Sequence, residues 1–390
     1  MHRNSELIHK SKLSPGAGET VVVAMSGGVD SSVAAALLHE HGYRVVGITL
    51  NLWDYHASGG NVNLESGCCS IDTMADARAV CHKLGVPHYV SDFREIFDRS
   101  VQQNFIDEYF GGRTPNPCVR CNTFIKWGAL LQQTEDIGAS FLATGHYARS
   151  RFNAATSRWE LLRAVDEQKD QSYALWGVRQ EALARTIFPL GDLTKPQVRE
   201  IARALGLKTA EKKESQEICF IPDNDYRRYL RERAPEAVAE IGGGDFVDAT
   251  GRQVGVHQGF PFYTIGQRKG LGLALGRPIF ITAIHPDTNT IVVGEDEDLR
   301  QSDFVVSSVN WGSLYCPADG TAVSCKIRYR DTGAPARLFD AGPHRVRVHF
   351  DTPQRAITPG QSAVFYDDGV VVGGGVIDCI VEAKYHLHDV

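Results

Sequence analysis

The stretch Ser26-Gly27-Gly28-Val29-Asp30-Ser31 follows the apolar run Val21-Val22-Val23-Ala24-Met25 and leads into a segment with small residues at Ala34, Ala35 and Ala36. The run reads as a buried parallel strand, Ser31 to His41 as a helix stopped by Gly42, and Arg44 to Leu50 as the next strand. A strand that turns on two glycines straight into a helix aims the first-turn amides of that helix into the turn. Amides at the positive end of a helix dipole hold an anion. The anion that suits this turn is a nucleotide phosphate, and a chain built on such a unit is committed to an α/β fold.

A kinase-type phosphate loop carries a lysine after its glycines; here Asp30 stands in that region instead. Ser-Gly-Gly-x-Asp-Ser resembles the pyrophosphatase (PP) loop of enzymes that cleave ATP between the α- and β-phosphates and adenylate an oxygen. A tight turn alone accounts for the glycines, so the aspartate and the serines carry the nucleotide reading. The expected ATP-binding stretch is Ala24, Met25, Ser26, Gly27, Gly28, Val29, Asp30 and Ser31, with Asp30 helping to hold Mg²⁺ on pyrophosphate.

Further along, a helix is expected from Ile71 to Leu84, a strand at His88 to Val90, a helical pattern from Asn122 to Asp136, and a strand Phe141 to Thr144 ending at Gly145-His146. Lys195-Pro196 starts another helix through Leu205. This alternation predicts a doubly wound, Rossmann-like parallel sheet with ligands at the carboxyl ends of its strands. Beyond Asp223 glycines multiply and helical periodicity fades. From Phe280 alternating strands dominate, with turns at His285-Pro286-Asp287, Thr358-Pro359-Gly360 and Asp367-Asp368-Gly369, which predicts a small antiparallel β-barrel. The expected division is a disordered leader (1–19), a PP-loop domain (20–222), a small central domain (223–285) and the barrel (286–390). With 390 residues the chain has length for two or three domains. No apolar run reaches the roughly 20 residues that span a bilayer, so no membrane partner is expected. Nine cysteines without a secretion signal point to the cytoplasm and to thiol chemistry.

In Thr114-Pro115-Asn116-Pro117-Cys118-Val119-Arg120-Cys121-Asn122, two prolines stiffen the approach to a helix opened by Asn122. A thiolate near a helix N-terminus, with Arg120 and Lys126 adjacent, has a lowered pKa. A lone Cys-x-x-Cys also fits buried packing, half a zinc site or a redox pair. Cys219, in Ser215-Gln216-Glu217-Ile218-Cys219-Phe220-Ile221, has apolar neighbours on one side and polar ones on the other.

Together these blocks resemble the tRNA-specific 2-thiouridylases. The matching stretches are Ser26 to Ser32, Cys68-Cys69-Ser70, Gly112 to Asn122, Ala143 to Tyr147, Asp166 to Tyr173, Ser215 to Ile221 and Thr264 to Gly272, in one order along the chain. The resemblance implies an enzyme that adenylates O2 of the wobble uridine (position 34) of certain tRNAs and replaces it with sulfur. It implies Cys219 as the persulfide carrier and Cys121 as the nucleophile, joined in a transient disulfide after sulfide release. It further implies Leu50 and Gly145 at the nucleotide, and Asn116, Pro117 and Cys118 at the target base. His146, Lys169, Asp170, Gln171, Arg328, Tyr329 and Gln361 would contact tRNA. A cysteine desulfurase or a relay protein would donate the sulfur. Some relatives carry aspartate where this chain has Cys118, and a thiol with a reference pKa of ~8.5 is a poor substitute for a carboxylate at ~3.9. Cys118, Cys121 and Cys219 together suggest an iron–sulfur cluster as an alternative sulfide source.

The net charge of −6 offers no general attraction for RNA, so positive charge must be local. Between Ala322 and Arg355 seven Lys/Arg face three Asp. Strand alternation would place Lys326, Arg328 and Arg330 on one face, and Arg345 and Arg347 on another. Two rival functions remain at this point: another PP-loop enzyme that adenylates a small metabolite, or an RNA-binding barrel attached to a nucleotide sensor.

Overall fold

The computed structural model describes residues 13, 18–53, 71–212, 218–314 and 317–381. Most of the expected leader, Cys68-Cys69-Ser70 and Ser215-Gln216-Glu217 lie outside the described residues. The chain forms two compact units. One comprises 1–101, 118–224 and 368–371; the other comprises 102–117, 225–367 and 372–390.

The first unit is organised by β1 (Thr20–Ala24), flanked by β2 (Arg44–Asn51) and β4 (Phe141–Thr144), with β3 (His88–Asp92) outside β2 and β7 (Thr186–Ile187) outside β4. All four pairings are parallel. Val21, Val22 and Val23 have no exposed surface, as expected of a strand covered on both faces. Helix α1 (Val29–Glu40) lies on the sheet, and Ala34, Ala35 and Ala36, all fully buried, let it approach closely. Helices α2 (Ile71–Leu84) and α3 (Lys195–Ala204) complete the layers, with Cys81, Val198 and Ile201 in the same core. The order β3-β2-β1-β4-β7 reverses direction between β1 and β4, so the loop after β1 sits at the topological switch point where such folds bind ligands.

Two local features depart from expectation. The helical pattern at Asn122 begins earlier, as a short α-turn Pro117–Arg120, and continues as a wide π-helical stretch Cys121–Leu130 before Leu131–Asp136. A hairpin of β5 (Arg149–Asn153) and β6 (Arg158–Leu162), unexpected from the sequence, pairs with Val370 and Val371.

In the second unit, helices Tyr226–Arg233 and Pro235–Ile241 correct the expectation that helix ends near 223. The first is rich in arginine and buries only Tyr229 and Leu230, too little to leave a periodic apolar signal; Asp225 caps it by accepting from the Arg228 amide. A four-stranded sheet follows, β8 (Gly244–Val247), β9 (Gln253–His257), β10 (Phe280–His285) and β11 (Thr290–Gly294), in the order β10-β11-β8-β9. The remaining strands are β12 (Arg300–Trp311), β13 (Thr321–Lys326), β14 (Ala334–Asp340), β15 (Val346–Arg355), β16 (Ser362–Asp367) and β17 (Val370–Ile380). They run in the order β12-β15-β14-β13-β16-β17 and close into a six-stranded barrel through β12–β17. Phe304, Leu338, Val348, Phe365 and Ile377 fill its core.

Candidate active site

The turn from β1 into α1 is built as an anion cradle. Gly28 is the N-cap of α1 and makes no side-chain capping bond, which leaves the first-turn amides to a ligand. The turn is braced from inside. Ser31 Oγ donates to the Gly28 carbonyl at 3.2 Å and accepts from the Ser26 amide at 3.2 Å, while Ser32 Oγ donates to Gly28 O at 2.8 Å. Gly27 adopts φ 68°, and a Cβ there would meet the Thr73 carbonyl oxygen at 2.1 Å. Gly145, at the end of β4, lies so close that its Cβ would meet Ser31 N at 2.6 Å. Leu50, buried near the end of β2, and Ala24, in register with Ile48 and Thr144, belong to the same edge of the sheet.

Asp30 is not placed as an open metal ligand. Both of its oxygens accept from Lys195 Nζ at 2.8 Å, and Oδ1 also accepts from Tyr147 Oη at 2.8 Å. Lys195 is only 7% exposed. Among the described residues no group of three or more His, Cys, Asp or Glu is arranged to hold a metal. Cys118, Cys121 and Cys219 therefore form no such group, and Asp30 here partners the Lys195 ammonium and the Tyr147 hydroxyl.

His146 follows Gly145. Its Nδ1 lies 2.8 Å from Thr144 Oγ1, its Nε2 lies 3.5 Å from Lys126 Nζ, and its ring is 5.5 Å from that of Trp127. Desolvation, and secondarily the Lys126 ammonium, hold its pKa well below the usual 6.5, so the ring is neutral near pH 7. Lys126 also donates to Asn122 Oδ1 at 3.0 Å, and buried Asn122 donates to Ala174 O at 2.9 Å. Asn122 thus locks the helix rather than opening it. Cys118 is exposed and lies in the first turn; Cys121 is half-buried at the start of the π-helical stretch, and Cys219 is half-buried as well. Arg120 donates to Ser100 O at 3.1 Å and stacks its guanidinium 4.4 Å from the Phe124 ring centre.

The segment Asp166–Gln171 is tied into the first unit. Asp170 is buried and accepts from Ala164 N, Ser172 N and Ser172 Oγ, so its carboxylate builds the loop itself. Gln171 Oε1 accepts from the Tyr147 amide at 3.0 Å. Lys169 is half-buried, whereas Glu167 and Gln168 are exposed.

The second unit corrects the cationic stripe. Strand β13 ends at Lys326, which is buried with its ammonium 5.9 Å from the Tyr366 ring centre. Arg345 pairs with Asp378, Arg347 with Asp303 and Arg355 with Asp296, each at 2.7 Å, and Arg337 lies 3.7 Å from Asp351. Three of these four acids lie in or before other strands, outside the window that was counted. Arg328 donates to the carbonyls of Arg355 and Ala356, beside exposed Tyr329. Gln361 Nε2 donates to Thr114 O at 3.1 Å and Pro115 O at 2.8 Å. It holds the strand of chain that leads to Asn116 and Pro117.

Comparison with known proteins gives a consistent assignment. Three family models match in succession: a tRNA methyl transferase HUP domain over 19–223, a tRNA methyl transferase PRC-barrel domain over 229–295, and an aminomethyltransferase beta-barrel domain over 301–377. A tRNA-specific 2-thiouridylase (MnmA) from Salinibacter ruber is 52% identical over 359 residues, covering 92% of this chain and 94% of its own. Its counterpart from Moorella thermoacetica is 50% identical, covering 93% and 100%. The chain belongs to the tRNA-specific 2-thiouridylase family. Membership covers both units and accounts for the order of the matching blocks. Four residues that anchor the candidate 2-thiouridylase site were not anticipated from sequence: Tyr147, Lys195, Lys212 and the bridging role of Asn122. Lys212 Nζ donates to Gly27 O at 3.1 Å and to Asp76 Oδ2 at 2.6 Å. Its only sequence signal was its place beside the Cys219 block.

Proposed function

We propose that this chain is an ATP-dependent tRNA-uridine 2-sulfurtransferase. The observation that carries the reading is the uncapped helix N-terminus after β1, with Gly145 against it, in a chain about half identical to 2-thiouridylases over nine-tenths of its length. Oxide is a poor leaving group, so a uracil carbonyl does not exchange oxygen for sulfur unaided. O2 of the wobble uridine attacks the α-phosphorus of ATP, and pyrophosphate leaves from the loop. The O2–AMP ester is now expellable. Positioning and charge neutralisation by the turn supply most of the acceleration.

Sulfur enters as the outer atom of a Cys219 persulfide loaded by a donor protein. The Cys121 thiolate attacks the Cys219 sulfur, forms the Cys121–Cys219 disulfide and frees hydrosulfide. Hydrosulfide adds to C2, AMP departs, and 2-thiouridine remains. A dithiol must then reduce the disulfide before the next cycle. Asn116 and Pro117, together with Cys118, are assigned to the flipped base. His146, Lys169, Gln171, Arg328, Tyr329 and Gln361 are assigned to tRNA, with Asp170 acting through the shape of its loop. Support for the thiol roles comes from the half-buried placement of Cys121 and Cys219 in the same unit as the loop.

The test separates the two half-reactions. Unmodified tRNA and ATP without a sulfur source should release pyrophosphate with wild type and with Cys219→Ser alike. Release without tRNA, or equal release with a small metabolite, would favour the adenylating-ligase alternative. ATP binding with no pyrophosphate release would favour a nucleotide sensor.

A further inference from the structure

The two side chains that hold Asp30 are both anchored on one loop. Tyr147, whose hydroxyl donates to Asp30 Oδ1 at 2.8 Å, exchanges backbone and side-chain bonds with Gln171: its amide donates to Gln171 Oε1 at 3.0 Å, and its carbonyl accepts from Gln171 N at 2.9 Å. Lys195, whose ammonium spans both oxygens of Asp30, donates its own amide to Asp166 Oδ2 at 2.9 Å. The ammonium also lies 5.7 Å from the Tyr147 ring centre, so the two holders touch each other. Residues 166 and 171 are thus the two ends of a short loop. Buried Asp170 stiffens it from within, and Asp166 O accepts from Lys169 N at 3.0 Å. Glu167 and Gln168 face solvent at its crest.

The loop is gripped at both ends, and each grip continues into a side chain that holds Asp30 of the phosphate turn. Lys195 is nearly buried and needs an anion beside it. Asp30 supplies one here. A polyphosphate at the N-terminus of α1 would supply another, giving the ammonium a second partner. We infer that Tyr147 and Lys195 are positioning residues through which the 166–171 loop sets the arrangement of Asp30, so that RNA seated on that loop tightens nucleotide binding at the turn. This rests on the proposed function, which places tRNA on the loop and ATP on the turn.

The experiment measures affinity for the uncleavable analogue α,β-methylene-ATP with and without saturating unmodified tRNA, together with tRNA affinity by filter binding, for wild type, Tyr147→Phe and Lys195→Arg. Tyr147→Phe keeps the ring and its contact with Lys195 and removes one hydrogen bond to a charged group. The ratio of analogue affinity with tRNA to that without it should fall about tenfold, with tRNA affinity held within about twofold. Lys195→Arg keeps the charge and should lower the ratio less; it also serves if Tyr147→Phe melts too low to assay. Tyr147→Phe combined with Asp166→Ala should lower the ratio less than the product of the two single effects, since both act through Asp30. A purely structural role would depress both affinities together and leave the ratio at its wild-type value, which would overturn the inference. A wild-type protein that binds tRNA but holds the analogue no more tightly for it would overturn it too. A wild type that neither binds tRNA nor releases pyrophosphate would instead sink the proposed function beneath it.

Discussion

A methyl group on Gly27 would lie 2.1 Å from the Thr73 carbonyl oxygen, at a residue whose φ of 68° already disfavours any side chain. Gly27→Ala should therefore cost about 1–3 kcal/mol of stability, read from denaturant unfolding, and should abolish detectable ATP binding; wild-type unfolding would contradict the tight turn. Cys121→Ala and Cys219→Ala should each eliminate thiolation while tRNA affinity stays within about twofold, because neither thiol is among the residues assigned to tRNA. Normal thiolation by either variant would refute the two-thiol route. At this scale the glycines, serines and thiols were legible because the chemistry demands particular residue types at short spacings. The partner of Asp30 was not. Lys195 is 165 positions away and looked in sequence only like the start of a helix.

Among elements, the strands of the first sheet were readable because burial on both faces leaves continuous apolar runs such as Val21 to Val23. The helix Tyr226–Arg233 was invisible because it buries two residues among many charges. The barrel strands shared a subtler fault. Alternation was expected to give a cationic face, but the neutralising acids Asp303, Asp378 and Asp296 come from elsewhere in the chain, and β13 stops at Lys326 before the pattern is complete. Arg345→Ala and Arg347→Ala should accordingly change tRNA affinity by less than about twofold and leave its salt slope unaltered. Loss of one unit of slope would mean that either guanidinium meets a phosphate. Arg328→Ala should act differently: it removes a donor from the Arg355 and Ala356 carbonyls, so it should lower the melting temperature as well as weaken tRNA binding.

At the scale of the whole molecule, three histidines among the described residues report on pH. Burial first lowers the pKa of His88, His146 and His257 below 6.5; Arg78 adds to this at His88 and Lys126 at His146. Each takes up a proton more readily in the unfolded chain than in the folded one. Stability from these groups is complete above the unfolded pKa and is lost as pH falls below about 6.5, with a slope of up to about 1.4 kcal/mol per pH unit for each proton. The melting temperature should drop between pH 7.5 and pH 5.5, and His146→Gln should flatten the drop; a flat or rising profile in wild type would contradict the burial of these rings. The sequence of folds along the chain, a doubly wound sheet and then a closed barrel, was legible from the change in periodicity. The contacts that make each unit compact were not, since they join residues far apart in sequence, as Gln361 joins the Thr114-Pro115 segment.

The most direct measurement is mass analysis of the wobble nucleosides of unmodified tRNA after incubation with the protein, ATP, a sulfide source and reductant. Uridine 34 should gain sulfur in place of oxygen, with AMP and pyrophosphate formed in equal amounts. Nucleotide consumed while that uridine keeps its oxygen would contradict the account.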